Sequence, residues 1–336
     1  MTPADAIPGA TSSGTDAGPL WTPGPDRIAA TQVDAFRRAA GVDGGYRELH
    51  QWSVNHPADF WQAVWNHLGV VGDPGSTVVD HDGSGHLTGT RWFPGGCLNF
   101  AENLLGAADD RAALVFRGED PTLAGACRTL TRRDLHALVS RLQQALLEVG
   151  VEPGDRVAAW LPNVPETCAV MLATASIGAT FSSTSPDFGA SGVIDRFGQI
   201  RPVVLFTTDG YRYGGRHHDV TGRLAEVADA LPEVRRVVVV PEDPTVGPVG
   251  TLPDDALSLE AFLAPHEAEE VRFLDLPFDH PLYILYSSGT TGRPKCIVHR
   301  AGGILLKHLV EHRLQCDVGA GDRILYFTTT GWMMWN

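Results

Sequence analysis

From Arg111 to Tyr286 the chain alternates short apolar runs with amphipathic stretches long enough for helices, and this alternation restricts its fold more than any other feature. Ala113–Arg117, Arg156–Leu161, Ala179–Ser182, Val203–Thr207, Val237–Val240 and Leu282–Tyr286 read as strands. Between the first two, Thr131 and Asp134 have the spacing of a capping box. Leu135, Leu138, Val139, Leu142, Leu146 and Val149 follow on one helical face, and Gly150 supplies a stop. Pro165–Ile177, Gly189–Ile200 and a segment ending at Leu231 read as further helices. Apolar runs without polar alternation are strands buried on both faces, and a helix between successive strands makes them parallel. The expected class is α/β, with a largely parallel, helix-covered sheet and no internal repeat.

Two aromatic-rich stretches precede this region. Pro57–Leu68 sets Phe60, Trp61, Val64, Trp65 and Leu68 on one helical face, with Pro57 in the first turn. Trp92-Phe93-Pro94-Gly95-Gly96 then leads into Asn99–Leu105. Such stripes are packing surface, so residues 26–110 read as a cap docked on a main domain at 111–336. Residues 1–25, rich in Gly, Pro, Ser and Thr, read as a flexible tail without the basic start or apolar centre of a signal peptide. At the far end Arg323–Phe327 reads as another apolar strand, and the chain stops soon afterwards at Asn336, as a truncated N-terminal portion would.

Charge and cysteines narrow the function classes. Lys and Arg number 26 against 40 Asp and Glu, a net charge of −14. That excess repels a nucleic-acid backbone but leaves room for a local cationic site for a small phosphorylated ligand. The 5 cysteines are scattered, with no CxxC, so neither a disulfide framework nor a zinc knuckle is expected. No apolar run approaches the ~18 residues needed to cross a bilayer. The expectation is a cytoplasmic chain that does not insert in membranes.

The most informative segment is Tyr286-Ser287-Ser288-Gly289-Thr290-Thr291-Gly292-Arg293-Pro294-Lys295. A buried strand delivers the chain to a loop of small hydroxyl residues and two glycines, and the segment after Lys295 is expected to be helical. Glycines let backbone approach a ligand closely; N–H groups, hydroxyls and one ammonium make a phosphate cradle. Cys296 after the lysine excludes the GxxxxGK[ST] loop, and the chain contains neither GxGxxG nor GxSxG.

This segment resembles the phosphate-loop signature of the adenylate-forming enzymes, which include acyl-CoA synthetases, peptide-synthetase adenylation domains and luciferases. Tyr46–Gly69, the Trp92–Leu105 stretch and Ser185-Pro186-Asp187 are similar to the acetyl-CoA synthetase branch. The closing segment Cys296–Asn336 is similar to its acetoacetate-using members. The resemblance runs from about Tyr46 to Asn336. It implies an adenylate-forming N-terminal domain and a two-step reaction of acetoacetate, ATP (with Mg²⁺) and coenzyme A. The resemblance places Ser287, Ser288, Gly289, Thr290, Thr291, Gly292 and Lys295 on the phosphates, with Lys295 and Thr290 as catalytic groups. It puts Trp332 on the acyl-pocket wall and Arg216 on coenzyme A phosphates, although Tyr213 stands where the pattern has a second arginine. The family's YGxTE-type motif, ribose-binding aspartate and mobile lobe with the adenylation lysine would all lie beyond Asn336, so the chain alone is expected to be inactive. An acetyl-CoA or other short-chain acyl-CoA synthetase is the alternative within the branch. A non-catalytic nucleotide-binding fragment is the alternative outside it.

Three further features compete for a role. His308-Leu309-Val310-Glu311-His312 matches HxxEH, but a zinc site needs a third ligand and only Asp317 and Asp322 follow. No metal site is assigned on this pattern. His217-His218-Asp219 reads as a solvated loop. Cys296 reads as a small buried thiol, with a reactive cysteine beside Lys295 as the other possibility.

Overall fold

The apolar runs assemble into a seven-stranded sheet in the order Leu257–Ser258, Arg236–Val240, Val204–Thr208, Arg156–Trp160, Thr180–Thr184, Pro281–Ser287, Lys295–Arg300. Every neighbouring pair is parallel except the last. The computed structural model describes residues 20–84, 87–123, 125–287 and 292–336; of the expected tail, residues 1–19 lie outside them. The chain enters the sheet at its middle strand, Arg156–Trp160, and places the next two strands on either side of it. Ala112–Arg117 stays outside, paired antiparallel with Cys127–Thr131. Among the described residues no helix is long and apolar enough to cross a membrane.

The pleat divides the core in two. Val157 and Ala159 pack with Val139 and Leu142 of helix Arg132–Glu148 and Ala169, Val170 and Ala173 of helix Pro165–Ser176. Ala158 and Trp160 point the other way, against Val193 and Phe197 of helix Ala190–Ile200 and Leu224 and Val227 of helix Thr221–Asp229. The capping box forms: Thr131 Oγ1 accepts from the Asp134 amide at 3.1 Å, and the Thr131 amide donates to Asp134 Oδ2 at 2.9 Å. Gly150 then turns the chain with φ at 81°, a left-handed value that a side chain would oppose.

Rings of the two aromatic stretches pack on each other and on Phe278. Trp65, in helix Pro57–His67, stacks on Phe93 at 5.1 Å between ring centres, and Phe93 on Phe278 at 4.8 Å. Asn99 rivets this region to the sheet domain. It caps helix Phe100–Leu105 through Oδ1, which accepts from the Ala101 amide at 3.0 Å, while Nδ2 donates to the carbonyls of Ser176 and Leu274, both at 3.0 Å. Helix Gln32–Ala39 docks on residues 313–318. Its Gln32 amide donates to Asp317 Oδ1 at 2.8 Å, its Nε2 to the Val318 carbonyl at 2.8 Å, and Arg313 Nε donates back to its Oε1 at 2.6 Å.

Three expectations are corrected. Lys295–Arg300 is a strand, antiparallel to Pro281–Ser287, and the helix begins only at Ala301. β-branched Ile297 and Val298 suit the pleated edge, whereas helical spacing resumes at Ile304, Leu305 and Leu306. Arg323–Phe327 pairs with no strand among the described residues, and Leu325 and Phe327 are 93% and 88% exposed. His217-His218-Asp219 is not a loop, since Arg216–Asp219 pairs with Gly210–Tyr213 in a two-stranded hairpin.

Asn99→Ala removes an N-cap and a buried donor together. The expected loss is about 2–4 kcal/mol of unfolding free energy, combining ~1 for the cap with 1–3 for the stranded carbonyl partners. Chemical denaturation measures it; a loss under ~0.5 kcal/mol, the range of an ordinary surface change, would show that Asn99 is no rivet.

Candidate active site

Because the strands are parallel, their carboxyl ends share one edge of the sheet, where α/β folds place ligands. The Ser287–Lys295 connection lies on this edge. Ser287 and Lys295 face each other as the last pair of the antiparallel ladder; Ser288, Gly289, Thr290 and Thr291 lie outside the described residues. Gly292 has φ at 102°, so any side chain there would be strained. The loop's far base is tied to helix Ala190–Ile200, where Gln199 Nε2 donates to the Pro294 carbonyl at 3.0 Å.

The near base is held by Tyr286. Its hydroxyl lies 3.0 Å from Ser182 Oγ, which donates to the Ile284 carbonyl at 2.8 Å. Burial pushes the Tyr286 phenol well above its usual range, so it stays neutral. On the same face Trp160 Nε1 and Thr184 Oγ1 are buried without a partner among the described residues. Ser287, Lys295 and Gly292 bound the loop at this edge.

A strap formed by Thr328–Asn336 crosses the ends of the two central strands. Thr330 Oγ1 donates to the Leu161 carbonyl at 2.6 Å, Ser183 Oγ donates to the Thr330 carbonyl at 2.7 Å, and Trp335 Nε1 donates to Asn163 Oδ1 at 2.9 Å. Gly331 is required by space: a Cβ would lie 2.5 Å from the Phe188 ring and 3.1 Å from the Ser185 amide nitrogen. The neighbouring Trp332 ring is 61% exposed. Sequence reasoning singled out Trp332 and passed over Thr330 and Gly331; the signal was a small hydroxyl residue and a glycine directly after an apolar run.

Arg216 sits on the hairpin that leaves the same edge after Val204–Thr208, three strand positions from Pro281–Ser287, or about 14 Å at the usual strand spacing. Gly214 and Gly215, at φ 62° and 74°, make its two-residue turn. Arg216 is exposed and forms no ion pair among the described residues. Its neighbours are engaged: His217 Nδ1 lies 2.8 Å from Glu242 Oε2, and Arg212 lies between Glu242 at 3.3 Å and Asp120 at 3.6 Å. The Ser287–Lys295 connection and Arg216 thus occupy separate stretches of one edge.

The other candidates lie outside this arrangement. Cys296 is exposed rather than buried, because edge-strand pairing turns it outward; the surrounding protein still pushes its thiol pKa up, against the nucleophilic reading. His308 and His312 approach with ring centres 6.0 Å apart, and Glu311 is drawn to Lys307 at 3.5 Å. Among the described residues no group of three or more His, Cys, Asp or Glu gathers for a metal. Burial first, then the charges of His312, Lys307 and His299, push the His308 pKa down to about 4 despite an opposing effect of Glu311. As pH falls from 6.5 toward 4 the unfolded imidazole takes a proton that the folded one refuses, so stability is lost across that window. His308→Gln should flatten this loss, read as denaturation midpoints between pH 8 and pH 4; an unchanged slope would place the acid sensitivity elsewhere.

Comparison with known proteins agrees with the geometry. Residues 101–335 match the family described as AMP-binding enzyme, and residues 46–104 match the acetyl-coenzyme A synthetase N-terminus. The chain is 48% identical over 324 residues to the acetoacetyl-coenzyme A synthetase of Rhizobium meliloti (strain 1021), covering 95% of this chain and 48% of that protein. It is 39% identical over 324 residues to a malonamoyl-CoA synthetase of Penicillium aethiopicum, covering 91% of this chain and 44% of that one. The solved structure of acetoacetyl-CoA synthetase from Streptomyces lividans superposes with a TM-score of 0.86 at 43% identity, over 95% of this chain and 49% of the other. The chain therefore spans about half the length of the relatives it matches. With its α/β architecture and the matched residues, the chain belongs to the AMP-binding enzyme family, with an acetyl-coenzyme A synthetase-type N-terminal segment.

Proposed function

We propose that the protein to which this chain belongs is an ATP-dependent acid–thiol ligase that makes acetoacetyl-CoA. The observation that carries this reading is the Ser287–Lys295 hairpin held between Tyr286 and Gln199 at the carboxyl edge of a parallel sheet. In the first step a carboxylate oxygen of the acid attacks the α-phosphorus of ATP, forming the acyl-adenylate and releasing pyrophosphate. In the second the coenzyme A thiolate attacks the acyl carbon and AMP leaves. Ser287, Ser288, Thr290 and Thr291, the Gly289 and Gly292 backbone and the Lys295 ammonium would bind the phosphates and stabilise charge on the departing pyrophosphate. Mg²⁺, arriving with ATP, would neutralise part of the phosphate charge. Arg216 would meet coenzyme A phosphates, and Trp332 would wall the acyl pocket. In this reading residues 26–110 are the cap and 111–336 the incomplete adenylation domain. Five free, scattered thiols suit a reducing cytoplasm.

The acid is the finer part of the proposal. Acetoacetyl and malonamoyl groups, named in relatives of this chain, both carry a second carbonyl two carbons from the activated one. A pocket built to meet that carbonyl would leave acetate with an unpaired polar partner, which discriminates far more strongly than a lost methylene worth about 1–3 kcal/mol.

Lys295→Ala should lower acid-dependent ATP–pyrophosphate exchange on the order of 10²-fold or more, the scale seen for preorganised electrostatic donors. Unchanged exchange in the full protein would remove Lys295 from the phosphate site. Comparison of kcat/KM for acetate, acetoacetate, 3-hydroxybutyrate and octanoate tests the acid, with acetoacetate expected to lead. A preference for acetate would point to the acetyl-CoA reading, and a preference for octanoate would undo the branch assignment.

A further inference from the structure

Helix Ala190–Ile200 presents two polar side chains, three positions apart on one face, to the two bases of the Ser287–Lys295 hairpin. Gln199 takes the Pro294 carbonyl. Arg196 stands against the other base, with its guanidinium carbon 4.2 Å from the centre of the Phe188 ring and 5.8 Å from that of Tyr286, the residue before Ser287. One nitrogen donates to the Gly192 carbonyl at 2.7 Å, and among the described residues no carboxylate comes within salt-bridge distance of it. Partial burial lowers its pKa, against smaller opposing effects of the Tyr286 phenol and the helix neighbour Asp195.

A half-buried guanidinium is ordinarily paired with a carboxylate, as Arg128 is with Glu166 through two bonds of 2.6 and 2.7 Å. Arg196 instead rests on aromatic faces that hold a cation without neutralising it. The protein carries a net charge of −14, which opposes the approach of a triphosphate. A cation fixed beside the loop offsets that repulsion locally, and the ring of Phe188, held against Gly331 of the strap, keeps it in place.

We infer that Arg196 is an electrostatic positioning residue for the triphosphate: it fixes the Tyr286 side of the phosphate loop and supplies uncompensated positive charge there. The inference rests on the assignment of the loop to ATP. The two are separated by measuring KM for MgATP, KM for the acid and kcat of ATP–pyrophosphate exchange in the full protein carrying Arg196→Met, Arg196→Lys or Lys295→Ala. Methionine keeps the apolar stem and removes the charge; lysine keeps the charge. Arg196→Met should raise KM for MgATP about tenfold with the acid KM within twofold, and this increase should shrink as salt is added to both proteins. Arg196→Lys should recover KM to within about threefold of the wild type. An unchanged KM for MgATP in Arg196→Met, or equal defects in the Met and Lys variants, would overturn the inference and leave Arg196 a packing residue. Insensitivity to Lys295→Ala would overturn the ATP assignment and the inference with it. A large Lys295→Ala defect beside a silent Arg196→Met would overturn the inference alone. Should Arg196→Met fail to fold, Phe188→Leu removes the ring that holds the guanidinium and should raise KM for MgATP at least threefold; no change would count equally against the role.

Discussion

A parallel strand pair cannot be closed by a tight turn, so each strand must be followed by a crossover that returns the chain to the sheet's starting side. Everything else in this structure depends on that constraint. It sends the ends of Arg156–Trp160, Thr180–Thr184, Val204–Thr208 and Pro281–Ser287 to one edge. The Ser287–Lys295 connection, the Thr328–Asn336 strap and the Arg216 hairpin all lie along it because each leaves or crosses a strand end. The one antiparallel strand of the seven-stranded sheet, Lys295–Arg300, returns Lys295 to face Ser287 at the same edge. A helix after the loop would have carried the chain away from that pairing.

The proposed anion site belongs to an acidic chain, so its cations must be placed individually. Among the positive groups at the edge are Lys295 at the hairpin base, Arg196 on its aromatic rings, and Arg216 exposed at a turn. Other arginines are paired with carboxylates, as Arg128 is with Glu166 and Arg201 with Glu233 at 2.7 Å. Short-range placement, rather than net charge, sets the local potential.

The sheet and its helices were legible because burial on both faces writes itself as continuous apolar runs, and because Thr131, Gly150 and Pro165 mark helix ends by local chemistry. The loop was legible as a string of residue types. Lys295–Arg300 was not, since a single edge strand and a short helix share the same apolar content, and only the partner strand decides between them. Arg323–Phe327 has strand-like residues but no paired strand among the described residues, and strand structure exists only between chains of backbone. Arg196 was invisible for a related reason: Phe188 and Tyr286, which hold it, are separated from each other by most of the sheet's sequence, and nothing local marks the meeting.

The contacts of Gln32 join positions 281 to 286 residues apart. Helix Gln32–Ala39 leaves a ribosome well before its anchors at Arg313, Asp317 and Val318. Phe36, with none of its surface exposed in the folded chain, has nearer partners: its ring lies edge-on to Phe60 at 5.8 Å and to His67 at 5.4 Å between ring centres. Contacts as distant in sequence as those of Gln32 form late and slow folding. The helix can therefore settle on its local aromatic neighbours first and be latched by Gln32 only afterwards.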